Sequence, residues 1–278
     1  MSHHLPTSAV LSIDVTDHVA TVWLDRSEAH NAMGPEFWTD LPAVMDALGA
    51  EPDVRVVVVA ARGAHFTVGL DIKAFGDAFL QGGVDGEPPV TETARRQATY
   101  AAVKRMQRTF SAIAECPKPV IAAVHGYCLG GGMDLVTASD LRVASADAVF
   151  SVRETKMAIV ADVGTLQRLP LIVGAGRVAD LVYTGRDVSA AEAERIGLID
   201  RLLPDRDAMH AAAHDLALQI AANSPITVQG VKAALVAATH SHVEQGLDRV
   251  AVWNTAFLHS DDLAEAVTAF VERRPPRF

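Results

Sequence analysis

The sequence predicts an α/β fold with a helical C-terminal part, and three observations predict it. The valine-rich run VRVVVVAA at 54–61 suits a strand buried on both faces. A second apolar run, CPKPVIAAVHG at 116–126, leads through GYCLGGG into the helix-like GGGMDLVTASD at 130–140, so strand passes to helix. From about Asp205 the pattern is nearly all helical, with a break at Asn223-Ser224-Pro225 and an end at Pro275-Pro276.

The elements follow in order. Val10–Ile13 and Val19–Trp23 read as short strands joined by a turn at Asp17 and His18. A helix is expected from Pro35 to about Leu48, with proline at a permitted first-turn position. GAHFTVGLDI at 63–72 is a loop, and the Gly/Pro-rich QGGVDGEPPV at 81–90 separates it from a long helix over about Thr91–Ala114. LRVAS at 141–145 and AVFSV at 148–152 read as strands. No close internal repeat is found, although a β, β, α alternation recurs. A β/α core over residues 1–204 and a helical region over 205–278 are therefore expected.

Composition narrows the function classes. Twenty-four Lys and Arg stand against 34 Asp and Glu, a net charge of −10, which argues against a general nucleic-acid binder. Cys116 and Cys128 make no disulfide framework and fit a reducing compartment. No apolar run reaches the roughly 20 residues that span a bilayer. The N-terminus MSHHLPTSAV lacks a secretory pattern and the end RRPPRF lacks a peroxisomal tripeptide, so the expected location is cytoplasmic.

Residues 126–164 carry the chemistry. A glycine backbone lets a ligand approach N–H groups closely, and three acids follow the triple glycine: Asp134, Glu154 and Asp162. Such a set suits an acyl group whose α-carbon gains or loses a proton. Each acid also has a structural reading. Asp134 could complement the start of its own helix, Glu154 could be a solvated strand end beside Arg153 and Lys156, and Asp162 could N-cap a helix over Val163–Leu169. GYCLGGG lacks the spacing of a dinucleotide loop, no G-x-S-x-G is present, and Cys128 has no base nearby in sequence. His240-Ser241-His242 and His3-His4 lack the carboxylate or thiolate partners of a metal site.

NAM at 31–33, HFTVGLD at 65–71, PKPVIAAVHGYCLGGGMDL at 117–135 and SPITVQGVK at 224–232 together resemble the enoyl-CoA hydratase/isomerase (crotonase) family, in the family's order. ADVGTLQRLP at 161–170 is similar to the dienoyl-CoA isomerases within it, and SDD before the last helix sits in a similar context. The resemblance implies a crotonase-like core of repeated ββα turns, with a C-terminal region that builds homotrimers or homohexamers. It implies an acyl-CoA substrate whose CoA is part of the substrate, with no further cofactor. It places an oxyanion hole at the N–H groups of Val68 and Gly131, within a substrate-binding set of Val68, Gly69, Leu70, Asp71, Ile72 and Gly131. Valine at 68, where the family usually holds alanine, is expected to narrow the acyl slot and leave the N–H untouched.

The same resemblance makes Asp134, Glu154 and Asp162 catalytic. Hydratases typically hold glycine where Asp162 stands, leaving room for water, so the implied reaction is isomerisation of a 3,5-dienoyl-CoA to a 2,4-dienoyl-CoA. Asp162 would take the C2 proton and Glu154 supply one at C6, while Asp134 steadies them. An enoyl-CoA hydratase is the alternative, and a non-catalytic acyl-CoA-binding or RNA-binding homologue is a rival of another class. Arg26 and Lys73 are candidates for CoA phosphate contacts. The tail RRPPRF resembles family C-termini lying near a neighbouring subunit's nucleotide end.

Overall fold

The computed structural model describes residues 5–75 and 91–278. QGGVDGEPPV lies outside the described residues. Strands β1 (Leu11–Thr16) and β2 (Val19–Leu24) form an antiparallel hairpin. Asp17 and His18 both adopt positive φ, 50° and 66°, the backbone a tight two-residue hairpin demands. The first strand thus runs three residues beyond the expected Ile13, because that turn keeps the pairing in register to Thr16.

β3 (Val56–Ala61), β4 (Val120–Val124), β6 (Leu141–Ser145) and β9 (Arg201–Leu203) continue from β2 as a parallel sheet of order β1-β2-β3-β4-β6-β9. Every residue of β3 and β4 is buried. That is why the sequence shows an uninterrupted apolar run rather than alternation. A smaller sheet of order β5-β7-β8 joins β5 (Tyr127–Leu129), β7 (Val149–Ser151) and β8 (Val188–Ser189).

Helices α1 (Pro35–Ala50), α2 (Glu92–Glu115) and α3 (Gly131–Ala138) share the main core with one face of the large sheet. α4 (Thr165–Val173), α5 (Ala175–Thr184) and α6 (Ala190–Arg195) follow. α7 (Arg206–Ala221) covers the other face of that sheet. Its Met209, Ala213, Ala217 and Ala221, four residues apart, pack on Val56, Val58, Ile121 and Val143. α8 (Pro225–Phe257) is 33 residues long, about 50 Å at 1.5 Å per residue, and α9 (Asp261–Glu272) closes the chain. Among the described residues no helix is long and apolar enough to cross a membrane.

Lys232 explains the SPITVQGVK motif. Its buried ammonium donates to the Lys118 carbonyl at 2.9 Å and to Asp140 Oδ2 at 2.7 Å, and the same Oδ2 accepts the Val120 N–H at 2.7 Å. One ion pair therefore ties α8 to the start of β4.

Candidate active site

Three loops build the floor of the site. Asn31, at φ 54°, stitches two of them: its Oδ1 accepts the Arg26 N–H, and its Nδ2 donates to the carbonyls of Arg62 and His65, each at 2.9 Å. Met33 N–H donates to Gly69 O at 2.8 Å, and Asp71 N–H to Met33 O at 3.1 Å. Thr67 Oγ1 donates to Asn31 O at 2.6 Å, while Leu129 N–H donates to Thr67 O at 3.1 Å. The motifs NAM, HFTVGLD and GYCLGGG are thus one hydrogen-bonded unit.

Glycine is required in that unit for close approach. Gly69 has φ 84°, and a Cβ there would sit 2.7 Å from Leu129 O and 3.3 Å from Gly131 N. Gly131 opens α3, and no hydrogen bond of its N–H is found among the described residues. It is therefore a free donor at the positive end of a helix. The Val68 N–H differs from expectation. It donates to His30 O at 3.2 Å, because the left-handed turn at His30 aims that carbonyl at the loop.

Val68, Leu70, Asp71 and Ile72 line a cavity of about 1100 Å³ together with Gly131. Gly69 instead stands behind the wall, its N–H bonded to Thr67 Oγ1. Asp71 pairs with Arg26 at 2.6 Å and caps Ala74, and the Arg26 guanidinium beside it holds its carboxyl below the usual range although burial opposes this. Arg26, Lys73, Arg153 and Lys156 all border the cavity. Arg153 pairs with Asp187 at 2.6 Å. In the tail, Arg274 is held by Glu265 and Glu272 of α9.

All three acids meet in this cavity. Asp134 is buried on the first turn of α3, and its Oδ1 accepts the Thr165 N–H at 2.6 Å, so it caps α4 as well as facing the site. Burial pushes its pKa up to about 6, against the Thr165 hydrogen bonds and the Arg168 charge. Glu154 opens a short 3-10 turn after β7. Among the described residues its Oε2 is buried without a hydrogen-bond partner, so its carboxyl is not a solvated strand end. Burial, then the negative charge of Asp134, and more weakly that of Asp162, push it up to about 8. Asp162 does not cap a helix: α4 starts at Thr165 after Gly164, and Asp162 Oδ2 accepts from Asn254 Nδ2 at 2.6 Å. Burial pushes it up to about 7, with Asn254 pulling down and Asp134 pushing up.

Three residues the sequence did not single out complete the site. Asn254 of α8 holds the Asp162 carboxyl, and Gln107 of α2 donates to the Asp162 carbonyl at 2.8 Å. Arg168 lies buried over Gly164, where an added Cβ would collide with its Nη1, and acts electrostatically on Asp134. A signal for Asn254 existed: it continues the buried stripe Val243, Leu247, Val250 and Ala251 as a lone amide. The distal wall comes from Leu258, Leu263, Val267 and Phe270. Cys128 is buried with its thiol pushed well above the usual range, first by burial, so it is no nucleophile. His240 does have carboxylates close by: Glu115 and Glu244 bring ligand atoms within 4.8 Å of one another. Glu115 comes from a distant helix, which sequence spacing does not reveal.

The α/β scaffold thus gathers a free backbone donor and three carboxyls around one cavity, an arrangement of the kind expected for the crotonase class. The enoyl-CoA hydratase/isomerase family model matches residues 14–278, and the chain belongs to that family. It is 41% identical over 256 residues to the peroxisomal Delta(3,5)-Delta(2,4)-dienoyl-CoA isomerase of Arabidopsis thaliana, covering 92% of this chain and 90% of that one. It is 41% identical over 269 residues to the mitochondrial protein of the same name from Rattus norvegicus, covering 95% and 80%. Among solved structures it resembles an enoyl-CoA hydratase/isomerase from Pseudoalteromonas atlantica T6c, at 28% identity and TM-score 0.83, covering 97% of this chain and 99% of that one. The cytoplasmic expectation is corrected by these relatives, which are mitochondrial or peroxisomal. Two unpaired cysteines do not distinguish one cell compartment from another.

Proposed function

We propose that the protein is a Δ3,5-Δ2,4-dienoyl-CoA isomerase acting on unsaturated fatty acyl-CoA thioesters. The observation that carries this reading is Asp162, a third carboxyl in the cavity that already holds Asp134 and Glu154. Relatives about 40% identical along nearly the whole chain bear that activity in their names. Hydration needs space for water where this carboxyl stands, which favours isomerisation over the hydratase alternative.

In the proposed reaction Asp162 takes a proton from C2 of the 3,5-dienoyl thioester. The electron pair spreads along the conjugated chain as a dienolate. Glu154, protonated at the start, gives its proton to C6, leaving double bonds at C2 and C4. One proton leaves the substrate and one enters, so no redox cofactor is needed. Resetting requires one proton to pass from Asp162 back to Glu154. Asp134 steadies the pair through its charge. The Gly131 N–H stabilises the enolate oxygen, and the Val68 N–H joins it by turning from His30, since such bonds often form only in the substrate complex. Leu70 and Ile72 flank the acyl chain, Gly69 holds the two donor loops together, and Asp71 orients Arg26 at the rim. Arg26 and Lys73 are suited to CoA phosphates.

Residues 1–204 would carry the acids and donor loops of the acyl-CoA site, while 205–278, which also supply Asn254 and the far wall of the cavity, would make the contacts of a homotrimer or a dimer of trimers. Supporting the second assignment are Ile226, Val231, Leu235, Trp253 and Phe257, large apolar residues exposed along α8. The experiment presents 3,5-octadienoyl-CoA and, separately, 2-octenoyl-CoA, followed by ultraviolet absorbance. A gain of thioester-conjugated absorbance with the first and little loss with the second is expected. Asp162→Asn is expected to lower isomerisation at least about 100-fold. Fast hydration of the enoyl substrate, or near-normal isomerisation by Asp162→Asn, would overturn the reading.

A further inference from the structure

We propose that Asn254 is a positioning residue that holds Asp162 ionised and aimed into the cavity, so that Asp162 rather than Glu154 receives the substrate proton. This deepens the isomerase reading above and rests on it.

Asn254 is 2% exposed on α8. Its side-chain nitrogen donates to the Val160 carbonyl at 2.9 Å and to Asp162 Oδ2 at 2.6 Å. A backbone carbonyl can only accept, so the amide must turn its nitrogen, not its oxygen, toward this corner. The donor thus faces the carboxylate in a fixed sense, and an N–H donor favours the charged form. The opposite side of the segment is fixed as well. Gln107 Nε2 donates to Asp162 O at 2.8 Å and to Leu247 O at 3.0 Å. Two amides from two helices grip residues 160–162, one holding the backbone and the other the carboxyl.

Glu154 supplies the contrast. Asp162 has the Asn254 amide on its carboxyl, whereas among the described residues Glu154 Oε2 is buried with no donor, as is Asp134 Oδ2, although Asp134 Oδ1 accepts the Thr165 N–H. An oxygen buried without a donor favours the protonated carboxyl, here against the backbone N–H groups of Glu154 and Arg153, which pull the other way. Asp134 from α3 acts on Asp162, and Asp162 in turn acts on Glu154 in the turn after β7. Arg168 of α4 acts on Asp134 and is itself faced by Glu115 of α2 and Glu244 of α8, while the neutral Gln107 of α2 and Asn254 of α8 bond to Asp162 directly. The pKa directions agree: Glu154 is pushed up to about 8, Asp162 to about 7.

The test uses the full chain with Asn254→Leu, similar in size but without donors, and Asn254→Asp, which keeps the shape. Two readouts are taken: the pH profile of kcat and KM with 3,5-octadienoyl-CoA, and an infrared titration of carboxyl groups in the free protein. Asp162→Asn identifies the Asp162 band. Asn254→Leu is expected to lose about ten- to a hundredfold in kcat at pH 7 with KM within about twofold. Its acidic limb and its Asp162 infrared titration should both move to higher pH. Asn254→Asp, which sets a second carboxyl beside the first, should shift the limb the same way and serves if the leucine variant does not fold. Wild-type limbs and infrared titration in either folded variant would overturn the proposal. A wild-type protein inactive on the dienoyl substrate, with the infrared shift still present in the variants, would sink the isomerase reading and leave the hold of Asn254 on Asp162 intact.

Discussion

Glu154 is costly to keep charged, and that cost has a measurable sign. Its folded pKa, about 8, lies above the ordinary carboxylate range. The native state therefore binds more protons than the unfolded chain between about pH 4 and 8, and stability falls as pH rises through that window. Glu154→Gln removes the titration while keeping the shape. We expect it to abolish isomerisation yet raise stability at pH 8 to 9 by about 1–3 kcal/mol, read from thermal or urea unfolding. The advantage should shrink toward pH 4, where the wild-type carboxyl is neutral in both states. An advantage that grows toward acid would mean Glu154 is held charged. Lys232 is the opposite case, a buried cation with a partner. Lys232→Met leaves the Lys118 carbonyl and part of Asp140 without their donor, and is expected to cost about 3 kcal/mol in urea unfolding.

Among the elements, strands and long helices were legible because each follows one local rule. β3 and β4 are apolar runs, and α2 is capped by Thr91, whose side chain accepts the Ala94 N–H. The glycine loops were legible as a turn, but their necessity comes from contact. Nothing in HFTVGLD says that Leu129 O will stand 2.7 Å from a Cβ at Gly69. Gly69→Ala must therefore push the two donor loops apart and strain a positive φ. It is expected to cost about 1–3 kcal/mol and to lower kcat more than it raises KM, measured by unfolding and steady-state kinetics. The engagement of the Val68 N–H by His30 was invisible for the same reason: it depends on a left-handed turn 38 residues away.

Across the whole molecule, catalysis and pH are linked through three acids in one cavity. The proposed isomerisation needs Asp162 charged and Glu154 protonated. The rate should rise as Asp162 ionises near pH 7 and fall as Glu154 loses its proton past about 8. The bell-shaped profile of kcat/KM should peak between those values, and its two limbs belong to the coupled set rather than to single residues. A flat profile from pH 6 to 9 would contradict this arrangement. The far wall depends on the end of the chain: Leu258, Leu263 and Val267 form a small core with Ile159. Leu263→Ala is expected to loosen α9 by about 2–4 kcal/mol, seen as faster amide exchange there, and to weaken selection among acyl lengths.

By itself the sequence determined the order of strands and helices, the family resemblance and the residue types of the site, because these are written in local periodicity and contiguous motifs. It also gave Asp162, through its setting in ADVGTLQRLP. Only the tertiary structure decided which donors each acid receives. Asn254 lies 92 residues from Asp162, and Gln107 lies 55 residues before it. Burial and donor geometry set a carboxyl's protonation, and both arise from elements that meet only when the chain folds.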